Sequence, residues 1–146
     1  MQRQQPLKCG NYNKSNRSAR LVLDDNDISM CNEFCKSAYG FSRDMELRQA
    51  IDQGVAFMIE QDGAVTGYAA GIGILCHVVA KSNEDLKALI YNASTILGPG
   101  FFIPGRNHEV INWLLETGFQ IGWPANLMAI GPYQEPVIPF LPSLAY

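Results

Sequence analysis

The sequence predicts a mixed sheet with helices on its faces, in the α/β to α+β range. Three observations carry that prediction. "VAFMIE" and "AVTGYAA" flank a "QDG" turn, the signature of an antiparallel hairpin. Apolar residues recur at helical spacing in four other stretches. Glycine and short polar residues close those stretches at ordinary helix lengths.

In chain order, Met1 to Ala19 is a polar leader rich in Gln, Asn, Ser, Lys and Arg. It has little to bury and is expected to be disordered. One domain is expected from Arg20 to Tyr146. "RLVL" (Arg20 to Leu23) is a short strand, and "DDND" offers an N-cap, with Asp27 the expected capping residue. Ile28, Cys31, Phe34, Cys35 and Ala38 make the stripe of a first helix that Gly40 stops. Ser42 is expected to cap a second helix, with Leu47, Ala50 and Ile51 inward and Gly54 at its end. The hairpin follows. Its return, "AVTGYAAGIGILCHVVA", reads as one long strand or two merged ones. Gly67, Gly71 and Gly73 interrupt it, marking a bulge or a close approach of backbone or ligand.

"SNEDLKALIYNAS" is the third helix, with Leu86, Leu89 and Ile90 inward. "GPGFFIP" is expected as a short buried strand. Asn107 caps the last helix, whose stripe is Val110, Ile111, Leu114 and Leu115, and Gly118 ends it. "QIGWPANLMAIG" is expected as a further strand. The proline-rich end, "PYQEPVIPFLPSLAY", is too apolar to hang in water and cannot be a central strand. It should lie across the domain or against a partner.

Bulk properties exclude several classes. The net charge is −3 and no basic run stands out, so nucleic acid is not an expected partner. No apolar stretch reaches the roughly 18 residues of a membrane span. The start lacks the apolar middle of a secretory signal, which points to the cytoplasm. The four cysteines form no C-x-x-C pair and only two histidines exist, so no metal site is expected and the cysteines read as small buried thiols.

The order of elements, with Asn107 opening the last helix and Gly118–Phe119 closing it, resembles the GNAT superfamily of acyl-CoA-dependent N-acyltransferases. "GYAAGIGILCHVVAKSNEDLKALI", "GPGFFIPGRN" and "GPYQEP…FLPSLAY" are more closely similar to the C-terminal half of tandem GNAT proteins. The resemblance implies a central, mostly antiparallel sheet flanked by about four helices. It also implies acetyl-CoA as cofactor and a small amine as acceptor. The coenzyme's pyrophosphate would meet Ser82 and Asn83 at the start of the third helix, with Asn107 at the start of the last.

The family's phosphate loop has the pattern (Gln/Arg)-x-x-Gly-x-(Gly/Ala), because glycine lets backbone N–H groups converge on phosphate. This chain reads "VVAKSNEDLKALI" there and has no glycine between Gly73 and Gly98. Ser82 and Asp85 resemble a capping box instead. Glu84 and Asp85 suit the helix dipole but repel pyrophosphate, and Lys81 is the cation expected nearby. Leu114 stands where the family often has a proton-donating Tyr. A turn between the third and fourth strands is missing unless "GIG" supplies it. His77, at the end of the glycine-rich strand, is the candidate general base for an acceptor amine; the competing reading is a hydrogen-bonded strand histidine.

Three functions therefore stand open. The favoured one is a GNAT-like domain with a degenerate coenzyme site and weak or absent acetyl transfer. The second is an active acetyl-CoA-dependent N-acetyltransferase on a small amine. The third is a non-catalytic domain for dimerisation or small-ligand binding. A homodimer is expected, because the neighbouring half of tandem relatives has only the leader in its place here. A piece cut from a longer tandem protein is the remaining alternative.

Overall fold

The structure, a computed structural model, describes residues 17–144. It is an α+β arrangement: a five-stranded sheet with two helices on each face. The elements are β1 (Ala19–Leu21), α1 (Asp25–Tyr39), α2 (Asp44–Asp52), β2 (Ala56–Gln61), β3 (Ala64–Ala70), β4 (Val78–Ala80), α3 (Asn83–Asn92), α4 (His108–Glu116) and β5 (Phe140–Leu141). The strands lie in the order β1-β2-β3-β4-β5, every neighbouring pair antiparallel.

Strand alternation sorts the core into two layers. Met58, Tyr68, Val79 and Phe140 face α1 and α2, where Cys31, Cys35 and Leu47 meet them. Phe57, Ile59, Val78 and Leu141 face α3 and α4, against Leu86, Leu89, Val110 and Leu114. Both faces being covered explains why "AFMI" carries no polar residue. The turn residues Asp62 and Gly63 both have positive φ (52° and 77°), as a type I′ hairpin demands.

Several expectations need correction. Asp24, not Asp27, caps α1: its extended backbone lets the side chain accept from the Asp27 amide. The Asp27 carboxylate is taken by both terminal nitrogens of Arg20 at 2.7 Å, which hold it below the usual carboxylate range. Ser42 does not cap α2; the cap position is Arg43, without a side-chain bond. The glycine-rich return strand is two strands, β3 and β4, joined by Gly71 to His77. Gly71 (φ 84°) turns the chain, and at Gly73 the backbone of Leu97 approaches so closely that a Cβ would collide with its carbonyl oxygen. So the close approach is backbone, not ligand. The register shift in the β2–β3 pair falls between Ile59 and Glu60, beside Gly67.

"GPGFFIP" forms no strand. Gly98 and Gly100 have positive φ, and prolines 99 and 104 cannot donate to a ladder. The free edge of β4 is taken instead by β5, from the tail. "QIGWPANLMAIG" likewise forms no strand and is exposed throughout. The tail behaves as its prolines require, contributing an edge strand and no central one. Of the leader, Ala19 begins β1, residues 17 and 18 precede it, and the expected disorder of the rest concerns residues outside those described. Among the described residues, no helix is long and apolar enough to cross a membrane.

Candidate functional site

The start of α3 is the place where three of the candidate residues meet. Ser82 is its N-cap, in extended conformation, with its hydroxyl accepting the Asp85 amide at 3.2 Å. The same hydroxyl donates to the Asp85 carboxylate at 2.9 Å. This differs from an ordinary capping box, in which the acid reaches the cap's backbone N–H; Asp85 is one carbon shorter than Glu and stops at the hydroxyl. Arg17 then closes the mouth. One guanidinium nitrogen donates to Ser82 Oγ at 2.7 Å and to Asp85 Oδ1 at 2.6 Å. The Gln61 amide donates to Asp85 Oδ1 at 3.2 Å. Asp85 is almost fully buried, so its charge is matched by an arginine and by neutral donors rather than by water.

Asn107 caps α4, accepting from the Val110 amide. Its Nδ2 donates to Asn83 Oδ1 at 2.9 Å, and Asn83 Nδ2 donates to Glu109 at 2.7 Å. Lys87 bridges Glu109 (2.7 Å) and Glu84 (3.2 Å). Partial burial of the ammonium opposes its charge, but the hydrogen bonds it donates to Glu109 and Glu84 outweigh that and raise Lys87 above its ordinary value. The starts of α3 and α4 are thus stitched together. Beside them lies a shallow cleft of about 210 Å³, lined by Asn83, Asn107, Pro104, Arg106 and the tail residues Ile138 and Phe140. Arg106 pins the tail there through the Pro136 carbonyl at 2.6 Å and an ion pair with Glu135. Its guanidinium lies over the Phe140 ring.

His77 is not part of this cluster. It sits at the opposite end of β4 and is fully buried. Nδ1–H donates to Glu46 Oε2 at 2.8 Å, and Nε2 accepts from the Tyr68 hydroxyl at 2.7 Å. Arg43 donates to the same Glu46 oxygen at 3.0 Å. Burial lowers the His77 pKa, so the imidazole is neutral at pH 7. From this position it ties β4 to β3 and α2. It has no exposed surface and both ring nitrogens are hydrogen-bonded, so the geometry favours the hydrogen-bonded strand histidine over the general base.

Cys31 and Cys35 are free and fully buried. Burial pushes the Cys31 thiol up to about 12 and raises Cys35 as well, so neither is a thiolate nucleophile. Among the described residues, no group of three or more His, Cys, Asp or Glu could hold a metal ion.

Sequence reasoning missed Arg17 and Gln61. A lone arginine in a polar segment gives no sign of its docking point. The available signal was Asp85 itself: an acid on the inward side of a helix start requires a cation, and Lys81 is exposed. The Glu46–His77–Tyr68 chain was also missed, because its members are 31 and 9 residues apart.

Comparison with protein-family models, with curated proteins and with solved structures returned no match.

Proposed function

We propose that this chain is a GNAT-like domain, of the kind found as the C-terminal half of tandem proteins, whose acetyl-CoA pyrophosphate site is closed from within and whose acetyl transfer is weak or absent. The observation that carries the reading is the occupied start of α3. The Asp85 amide, a donor that a phosphate would need, is bonded to Ser82. The carboxylates of Glu84 and Asp85 stand in its first turn. The nearest guanidinium, Arg17, is committed to Asp85. An incoming pyrophosphate would have to displace that pair and approach two acids. The protein works in the cytoplasm on this reading, where its free thiols stay reduced, and associates with a second copy of itself.

Calorimetric titration with acetyl-CoA tests the site. The expected result is no saturable heat at millimolar ligand. Stoichiometric binding at micromolar ligand contradicts the reading.

One observation favours the alternative of an active N-acetyltransferase on a small amine. Asn83 and Asn107 lie together beside the 210 Å³ cleft, with the Arg106–Glu135 ion pair on its rim. Release of free coenzyme A thiol from acetyl-CoA, dependent on an added amine and lost in Asn107→Ala, would establish that reading.

A further inference from the structure

After Gly118 the chain leaves the body of the domain and returns only near Pro136. Every residue from 120 to 134 is exposed. Among the described residues, none from 120 to 132 shares a main-chain hydrogen bond with other main chain. The segment is nevertheless a defined arm, held at both ends. The Phe119 ring packs edge-on against Phe101 at 5.6 Å, and Arg106 holds the Pro136 carbonyl.

Its composition does not suit solvent. No charged residue occurs between Glu116 and Glu135. Ile121, Trp123, Leu127, Met128, Ile130 and Val137 all stand out, with exposures from 56% at Leu127 to 93% at Val137 and Ile130 fully exposed. At roughly 200 Å² each, an aromatic value that overstates the aliphatic residues, they leave at most on the order of 900 Å² uncovered, counted over every side of the arm. A standard-size interface buries about 800 Å² per partner.

We infer that this arm is the surface through which two copies of the chain associate about a two-fold axis, Ala125–Ile130 pairing antiparallel with its own symmetry mate. A two-fold contact brings a patch against itself, so the patch must tolerate its own charges; this one has none. Antiparallel pairing of a strand with its own copy is the arrangement that satisfies a two-fold axis. Ala125 to Ile130 is free of proline and glycine and has its backbone groups available. A bare run of this kind is a template for pairing, and a symmetry mate occupies one of its two edges. The flanking charges disfavour a bilayer as occupant. Glu116 bounds the arm on one side and the Arg106–Glu135 ion pair on the other, so neither flank is basic, whereas anionic lipid surfaces select basic flanks.

The inference rests on the self-association in the proposed function and names its surface. Sedimentation equilibrium of the full chain tests it, with the double variant Met128→Glu, Ile130→Glu beside the wild type. Both positions are exposed, so the folded domain is retained, as far-ultraviolet circular dichroism checks. The wild type is expected to be a dimer at micromolar concentration. The variant's dimer dissociation constant is expected to rise by more than about 100-fold. Emission of the wild type should shift to shorter wavelength on dimerisation as Trp123 leaves water. A monomeric wild type overturns both the self-association and the surface. A dimeric wild type with an equally dimeric variant overturns the surface alone. Flotation of wild type, but not variant, with neutral phosphatidylcholine vesicles assigns the arm to a bilayer and overturns the inference.

Discussion

Removing Arg17 is the sharpest perturbation of the α3 start. The guanidinium meets Asp85 at 2.6 Å, where the arginine side chain is 29% exposed and the carboxylate 3%. Fully exposed pairs contribute about 0–1 kcal/mol, and breaking a fully buried one costs about 3–5 kcal/mol. The half-screened geometry here lies between, so Arg17→Ala should cost about 2 kcal/mol. Ser82 and Gln61 remain as donors to the stranded carboxylate and limit the loss. For a domain of this size the melting temperature should fall by roughly 6–10 °C. Asp85→Asn removes the charge that needs Arg17. In that background Arg17→Ala should cost less than about 0.5 kcal/mol, a coupling near 1.5 kcal/mol. Urea denaturation of the four proteins of the cycle reads this directly. A coupling below about 0.3 kcal/mol would refute the claim that Arg17 closes the helix start.

Three further outcomes are expected. His77 binds its proton less readily folded than unfolded, because burial lowers its pKa below 6.5. The unfolded chain therefore holds more protons as pH falls below 6.5, and stability should drop by up to about 1.4 kcal/mol per pH unit there; His77→Gln should flatten that slope, and an unchanged slope in urea titrations would count against the buried neutral imidazole. Gly73→Ala should destabilise by about 1–3 kcal/mol, because the new Cβ meets the Leu97 backbone and lies 2.9 Å from its Cβ; an unchanged urea midpoint contradicts this. Cys31 and Cys35 should resist Ellman's reagent in the native protein and react on unfolding, and rapid native labelling of either, located by mass spectrometry, would contradict their burial.

The helices were legible because their signals are local. Ser82 and Asn107 cap the helices they were expected to cap, and Leu86, Leu89, Val110 and Leu114 are buried on the expected faces. The hairpin was legible for the same reason, since Asp62–Gly63 fixes its own turn. Asp24 and Asp27 could not be told apart, because an acid used for capping and one used for Arg20 look alike in "DDND". The sheet edge was not legible at all. "GPGFFIP" and "PFLP" are equally apolar, and only tertiary pairing decides that the second lies against β4. At the candidate site, the acids at the start of α3 were read correctly as a feature of the helix. The Asp85 partner, Arg17, lies 68 residues away and could not be assigned by pattern.

The central claim is that the amides opening α3 are closed to a diphosphate, and amide chemical shifts of the labelled protein test it most directly. With acetyl-CoA added to millimolar concentration, the resonances of Asn83, Glu84 and Asp85 should stay where they are. Saturable shifts confined to those three amides, accompanied by release of the Arg17 side chain, would contradict the account.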